Sequence, residues 1–356
     1  MIRIGIVGAG TAGWVHSRHY RYLQGVDVVA ICDPSKARRV DLGRKHKAAA
    51  HYADYREMLA RESLDGISNC TPDALHAEVA LAAIRRGLPV LSEKPMAVTL
   101  ADARRMQAAA QRHGAIAMIN FGYRHSGALA RAARMIRDGK LGNIRHVEGS
   151  CLQSWLVSDY WGHWSEPGAV WKLSTKGGNR GALGDLGCHL LDFLTVLCGD
   201  IAKVDCRLKT FSKGVPGETM GGYALDANDS LAAMVEFASG AFGVLHASRW
   251  ATGHTNSLKV TVYGDRGAVA IDAVDAPHVL RMVTGKRSIA RAAWREVACR
   301  PEAMPFERFV RAIRSLRGGA PDFFDGLKNQ AQLQACVLSA QHERPVRVIH
   351  PPRVGL

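Results

Sequence analysis

Ile2-Arg3-Ile4-Gly5-Ile6-Val7-Gly8-Ala9-Gly10-Thr11-Ala12-Gly13 runs from an apolar, β-branched segment straight into glycines spaced G-x-G-x-x-G. Ile2–Val7 reads as a buried strand and Thr11–Leu23 as a helix, so the glycines fill a strand-to-helix turn. In that context each has a task. Gly8 permits the tight turn, Gly10 lets backbone approach a pyrophosphate, and Gly13 lets helix pack on strand. The helix N-terminus then presents amide N–H groups and a positive dipole to phosphate. Asp33 ends the next expected strand, Val26–Cys32, about twenty residues beyond Gly13, where an acid bonds the ribose 2′-hydroxyl of a dinucleotide. Asp33 would oppose a 2′-phosphate, which favours NAD; Lys36 and Arg38 nearby keep NADP open. The plainer alternative is an Asp that caps the helix beginning at Ser35.

Outward from this stretch the same alternation continues. Helices are expected at Ser35–His46, Asp54–Ala60, Asp73–Arg86 and Thr99–His113, and strands at Gly66–Asn69, Val90–Ser92 and Ala115–Asn120. Short apolar strands joined by helices predict a doubly wound parallel sheet, an α/β Rossmann domain over residues 1–122. The pattern then changes. A helix over Ser126–Asp138, a strand over Ile144–Leu152 and a Trp- and Gly-rich irregular stretch over Ser154–Arg180 precede a helix over Ala182–Leu197. Strand-like runs follow at 201–210, 229–237, 241–249, 257–263 and 267–272 without helices between them. Two helices, Pro305–Arg317 and Phe324–His342, come last. Residues 123–356 are therefore expected to form a C-terminal α+β domain with a large, mostly antiparallel open sheet.

Composition sets outer limits. The 356 residues carry a net charge of +15 with 47% hydrophobic residues, a globular balance. No apolar run nears the ~20 residues of a membrane helix, and the basic residues are dispersed, so neither a membrane nor a nucleic-acid partner is expected. The strand at Ile2–Val7 leaves no room for a signal peptide before it, and the eight cysteines form no C-x-x-C pair. Both point to reduced thiols in the cytoplasm, with no metal site.

Glu93-Lys94-Pro95 follows the expected strand Val90–Ser92, at the sheet edge where ligands bind in open α/β folds. A lysine there can bond a substrate hydroxyl and the nicotinamide ribose, and its charge favours a developing alkoxide. Taken alone, the tripeptide reads equally as a surface salt bridge. Gly8–Gly13, Asp33, Cys70-Thr71-Pro72 with His76, Glu93-Lys94-Pro95 and Gly184-Asp185-Leu186-Gly187-Cys188-His189-Leu190-Leu191-Asp192 together resemble, in order and spacing, the glucose-fructose oxidoreductase / inositol dehydrogenase (Gfo/Idh/MocA) family. The resemblance covers essentially the whole chain. It implies a Rossmann domain followed by an α/β domain whose open sheet mediates a homodimer or homotetramer.

Within Ala182–Leu197, Asp185, His189 and Asp192 form a polar stripe about 120° from a stripe of leucines. Such a pair can be a buried structural contact, or a base and its orienting carboxylate. The resemblance implies the second, with Lys94, Asp185 and His189 as the catalytic set. His189 then serves as general acid/base, Asp185 positions substrate and base, and Lys94 polarises the reacting oxygen, the Lys and His roles being exchangeable. It further implies cofactor contacts from Thr11, Ala12, Thr71, Pro72, His76, Glu93 and Asn120, and from Trp171-Lys172, where relatives carry Trp-Arg; lysine is a point charge in place of a planar fork. Trp155, Trp161, Trp164 and Trp171 crowd the segment before this helix, as an aromatic wall for a sugar face or as plain packing. Tyr123, Arg124, His163 and Asn179 are candidate hydroxyl donors and acceptors, Arg124 alternatively a phosphate ligand or an interdomain salt-bridge partner.

The expected function is an NAD(P)-dependent dehydrogenase of a secondary ring hydroxyl of a sugar, glycoside or cyclic polyol. Two alternatives stand beside it. One is a redox-assisted glycoside-cleaving enzyme with tethered NAD and no net redox change. The other is a catalytically silent sugar or dinucleotide sensor on the same fold.

Overall fold

Six short, mostly apolar strands in the first 122 residues pair in parallel, the first five each followed by a helix. They are β1 (Ile2–Val7), β2 (Val26–Cys32), β3 (Ala50–Tyr52), β4 (Gly66–Asn69), β5 (Val90–Ser92) and β6 (Ala117–Ile119). The helices are α1 (Thr11–Arg21), α2 (Lys36–His46), α3 (Tyr55–Arg61), α4 (His76–Arg85) and α5 (Leu100–Arg112). In this computed structural model, which describes residues 1–46, Ala48 and 50–352, the sheet order is β3-β2-β1-β4-β5-β6. The order reverses between β1 and β4, which opens a crevice at their carboxyl ends. Asp54 caps α3, as expected of the first residue of its helix, by accepting the Arg56 N–H; Thr99, also expected as a cap, caps α5 through the Asp102 N–H.

The remainder is built on a nine-stranded sheet. Its chain runs α6 (Gly127–Arg137), β7 (Ile144–Leu152), α7 (Cys188–Cys198), β8 (Ile201–Lys209), a small ribbon of β9 (Thr219–Met220) and β10 (Tyr223–Ala224), then β11 (Ser230–Phe237), β12 (Phe242–Ser248), β13 (Ser257–Gly264), β14 (Gly267–Asp272), β15 (Val279–Thr284), α8 (Lys286–Ala290) and β16 (Arg295–Ala298). After α9 (Pro305–Ser315) and α10 (Phe323–His342), β17 (Val346–Arg347) completes the sheet in the order β16-β15-β14-β13-β7-β12-β11-β8-β17. Only β7 and β12 pair in parallel. Burial alternates along β11 and β12. Leu231, Ala233, Val235, Leu245 and Ala247 are buried, while Met234, Phe242 and Val244 on the opposite face are exposed.

Two findings depart from expectation. Contacts group Ala303–Gln330 with Met1–Gly122, and Tyr123–Glu302 with Ala331–Leu356, so 303–330 leaves the C-terminal domain expected at 123–356. The physical reason is the apolar face of α9: Phe306, Phe309, Val310 and Ile313 complete a core with Ile4, Ile6, Tyr20 and Val28. Second, the single helix expected over 182–197 divides. Leu183–Gly187 is a π-helical turn and α7 begins at Cys188. Glycines at 184 and 187 tolerate the widened turn, and a Cβ at 187 would press on Leu231 Cδ2 at 3.1 Å.

Candidate active site

In the first unit every strand of the crevice delivers one loop. Gly8, at the end of β1, has φ +96°, and a Cβ there would overlap the Cys70 carbonyl that ends β4. A Cβ on Gly13 would overlap the Gly8 carbonyl oxygen. These two glycines let turn, helix and neighbouring strand close on one another. Gly10 differs: a Cβ there meets nothing within 4 Å, so backbone borders open space where α1 begins. Gly10 gives α1 no side-chain cap and the first turn holds no acid. The leading amides of Thr11 and Ala12 therefore suit an anion.

Asp33 is buried. Its carboxylate accepts the Ala9 N–H at 2.9 Å and the Ser35 N–H at 2.8 Å. It thus ties the glycine loop to the segment that follows β2. Thr71 Oγ1 donates to Asn69 Oδ1 (2.7 Å), and His76, 1% exposed, sets one ring nitrogen on the Thr71 carbonyl (2.8 Å) and the other on the Pro95 carbonyl (2.9 Å). The loops after β4 and β5, carrying Thr71-Pro72 and Glu93-Lys94-Pro95, are clipped together by this imidazole.

Glu93 sits within hydrogen-bond reach of His16 Nε2 (2.8 Å) and accepts from Asn120 Nδ2 (2.7 Å); its other oxygen accepts the Lys94 N–H (3.1 Å). Burial alone would raise its pKa. The His16 hydrogen bond and charge, the Lys94 charge and the Asn120 bond outweigh it and hold the carboxyl at about 2. His16 is fully buried under Phe306, ring centroids 4.7 Å apart. Asn120 Oδ1 is buried without a partner, an acceptor left for a donor from outside the chain. An open cradle at Gly10, uncapped amides and this orphan acceptor fit a dinucleotide carrying an anionic middle and an amide-bearing end.

In the second unit, Asp185 projects from the π turn and His189 from the first turn of α7. His189 meets Tyr123 edge-on at 4.8 Å, and the Tyr123 hydroxyl accepts Asn256 Nδ2 at 2.6 Å. Arg124 grips Asp192 with two bonds of 2.9 and 2.6 Å. The guanidinium thus makes a salt bridge within this unit, one turn along from His189. Asp185 is bonded by Arg249 Nη2 at 3.0 Å.

The other candidates scatter in character. Trp155 is buried in a small core with Leu156, Val170, Leu173 and Leu225, with Trp164 packed against it; Trp161 is exposed and donates to the Thr255 carbonyl. Trp155 and Trp164 thus share a packed cluster, while Trp161 lies at the surface. Trp171 donates to the Gly168 carbonyl, and the Lys172 ammonium lies 5.7 Å from the Trp155 ring. His163 is exposed, paired with Ser165 and stacked on Trp164. Asn179 Oδ1 accepts the Gly181 N–H at 2.6 Å, stabilising the turn into the helix. Among the described residues no cluster of His, Cys, Asp and Glu could hold a metal ion, and no helix is long and apolar enough to cross a membrane.

Sequence reasoning missed two residues. Arg249 continues the inward positions 243, 245 and 247 of β12, so a charge on a core-facing position was the available signal. His16 shares the buried face of α1 with Gly13 and Tyr20, a polar residue on an apolar stripe.

Comparison with known proteins agrees with this geometry. Residues 2–121 match the family described as an oxidoreductase family with an NAD-binding Rossmann fold, and residues 129–270 match the GFO/IDH/MocA C-terminal domain. The chain is 27% identical over 294 residues to levoglucosan dehydrogenase of Pseudarthrobacter phenanthrenivorans, covering 76% of this chain and 73% of that protein. It is 28% identical over 246 residues to D-glucoside 3-dehydrogenase of Escherichia coli K12, covering 67% and 68%. A solved structure of levoglucosan dehydrogenase in complex with NADH and levoglucosan superposes with a TM-score of 0.86 at 25% identity, covering 98% of this chain and 99% of that one. With both halves matched in order, the chain belongs to the GFO/IDH/MocA family of oxidoreductases, with an NAD-binding Rossmann fold.

Proposed function

We propose that this oxidoreductase oxidises a secondary ring hydroxyl of a sugar, glycoside or cyclic polyol, with NAD as the hydride acceptor. The observation that carries the reading is the loop after β5. Glu93 is fixed from three sides by His16, Asn120 and the Lys94 amide, and Lys94 follows it on the ligand-binding edge of a dinucleotide fold. The substrate class follows the similar proteins, named for levoglucosan and a D-glucoside.

Gly10, Thr11 and Ala12 would hold the pyrophosphate in the loop that Gly8 and Gly13 shape, Asp33 the adenosine ribose, Thr71 and Pro72, clipped in place by His76, the path between adenine and nicotinamide, and Glu93 and Asn120 the nicotinamide side; Trp171 and Lys172 would be further cofactor contacts. Bound nicotinamide supplies the acceptor for the hydride leaving the carbinol carbon. Lys94 donates to the reacting oxygen and lowers the cost of negative charge there. His189 takes the hydroxyl proton, so the carbinol loses one hydride and one proton and becomes a ketone. Asp185 accepts from a neighbouring hydroxyl and Tyr123 lines the substrate beside His189. The units expected at 1–122 and 123–356 take the cofactor and substrate tasks respectively, with 303–330 supporting the former.

The free cysteines suit a reducing cytoplasm. The exposed Met234, Phe242 and Val244 on the open sheet face suit a homodimer or homotetramer.

The direct test is NADH absorbance after adding NAD and, in turn, levoglucosan, methyl glucosides and myo-inositol. Accumulation of NADH with one of them is the expected result. A cleaved glycoside without NADH would replace this reading with the redox-neutral one. Sugar binding without any turnover would replace it with the sensor.

A further inference from the structure

Arg249 is the largest of the fully buried side chains, 1% exposed. A sealed guanidinium is costly unless it is paired and hydrogen-bonded, and an apolar residue of similar shape serves packing alone at least as well. What surrounds it is therefore informative. Nη2 donates to Asp185 Oδ2 at 3.0 Å and Nη1 to the Lys172 carbonyl at 3.2 Å. The Trp155 ring lies 5.0 Å from its central carbon. Its own backbone is locked on both sides. The Arg249 N–H donates to the Asp229 carbonyl, and its carbonyl accepts the Leu156 N–H.

The ion pair is one-sided. The cation is sealed, but the Asp185 side chain is 37% exposed. A pair that served only the core would bury both ends. Here a donor fixed just after the end of β12 holds a carboxylate that stays partly exposed. We infer that Arg249 is a positioning residue for substrate recognition: it fixes Asp185 as the acceptor of a sugar hydroxyl and, through the Lys172 carbonyl, clips the irregular 153–180 segment to the same point. The inference rests on the reading of Asp185 as a substrate contact, and the clip stands independently of it. The planar fork matters because one side chain must reach a carboxylate and a carbonyl together, which lysine's single ammonium does poorly.

The experiment uses the full chain with R249M, R249K, D185N and the double variant R249M/D185N. Kinetics are read with NAD and whichever of levoglucosan, methyl glucoside or myo-inositol the native protein oxidises. R249M is expected to lose kcat/KM by ~10- to 100-fold, mostly through KM, because a displaced contact misorients substrate. NADH affinity, measured by fluorescence, stays within about twofold, since the cradle lies on other residues. R249K falls between R249M and the native protein. The double variant is no worse than D185N, because Arg249 acts through Asp185. Additive losses in the double variant, or native KM in R249M, overturn the positioning role.

A second readout needs no turnover. R249M is expected to be cut by trypsin after Lys172 and Lys176 faster than the native protein, with R249K cut at an intermediate rate. Unchanged cleavage overturns the clip. If no sugar in the panel is oxidised by the native protein, the failure lies with the proposed function, and the cleavage rates still decide Arg249. If R249M does not fold, R249K carries both measurements.

Discussion

At the scale of single residues, Glu93 concentrates the electrostatics of the first unit. Its pKa falls from 4.5 to about 2, so the folded state favours the charged form. That contribution is fully present above the ordinary carboxylate value and is lost as pH falls from about 4.5 towards 2. Its size is on the order of 3 kcal/mol at neutral pH, since a tenfold change in acid strength corresponds to ~1.4 kcal/mol. Glu93→Gln should lower the midpoint of thermal unfolding at pH 7, and the gap to the native protein should close as pH drops through that window. A gap that does not change with pH would contradict the burial of this charge against His16. The tripeptide at 93–95 was legible in the sequence because its position after an apolar strand marks a ligand edge. His16 and Arg249 were not, because their partners lie 77 and 64 residues away and no local pattern reports a distant carboxylate. Arg124 read as one of several possibilities for the same reason, until Asp192 appeared beside it.

At the scale of elements, the turn between β1 and α1 separates two kinds of glycine. Gly13→Ala forces a methyl into the Gly8 carbonyl, so both stability and NADH binding should fall. Gly10→Ala meets no protein atom within 4 Å. Its melting temperature should match the native protein within a degree or two, while NADH binding weakens by ~10-fold or more, because the methyl occupies the space where pyrophosphate approaches. Equal melting losses in both variants would mean that the space at Gly10 is structural. The strand-to-helix alternation, the caps at Asp54 and Thr99, and most strands of the second sheet were readable because period and capping are local signals. The short β3 and the outer strands β15 and β16 escaped. β3 and β16 have only three and four residues, and the six of β15 are broken by the exposed Arg281, so none alternates long enough to register. The π turn escaped because a straight-helix wheel has no place for an extra residue, although Gly184 and Gly187 marked where one fits.

At the scale of the whole molecule, linear sequence order misled at one point. The last two helices follow the large sheet in sequence, but Phe306 and Phe309 belong to the core beside β1. Apolar periodicity says that a helix is buried without saying against what. The open sheet face gives a separate prediction. Met234→Lys with Val244→Glu should reduce the molar mass in solution if that face joins copies of the chain; an unchanged mass would remove it as the interface. The central claim is that Lys94 and His189 serve hydride removal from a carbinol to nicotinamide. It is tested most directly with a sugar deuterated at the carbinol carbon, incubated with NAD and the native protein, Lys94→Ala or His189→Ala. One deuterium is expected in each reduced nucleotide formed by the native protein, with a rate lower by ~100-fold or more in both variants, which still bind NADH. Reduced nucleotide without deuterium, or either variant turning over at the native rate, would contradict it.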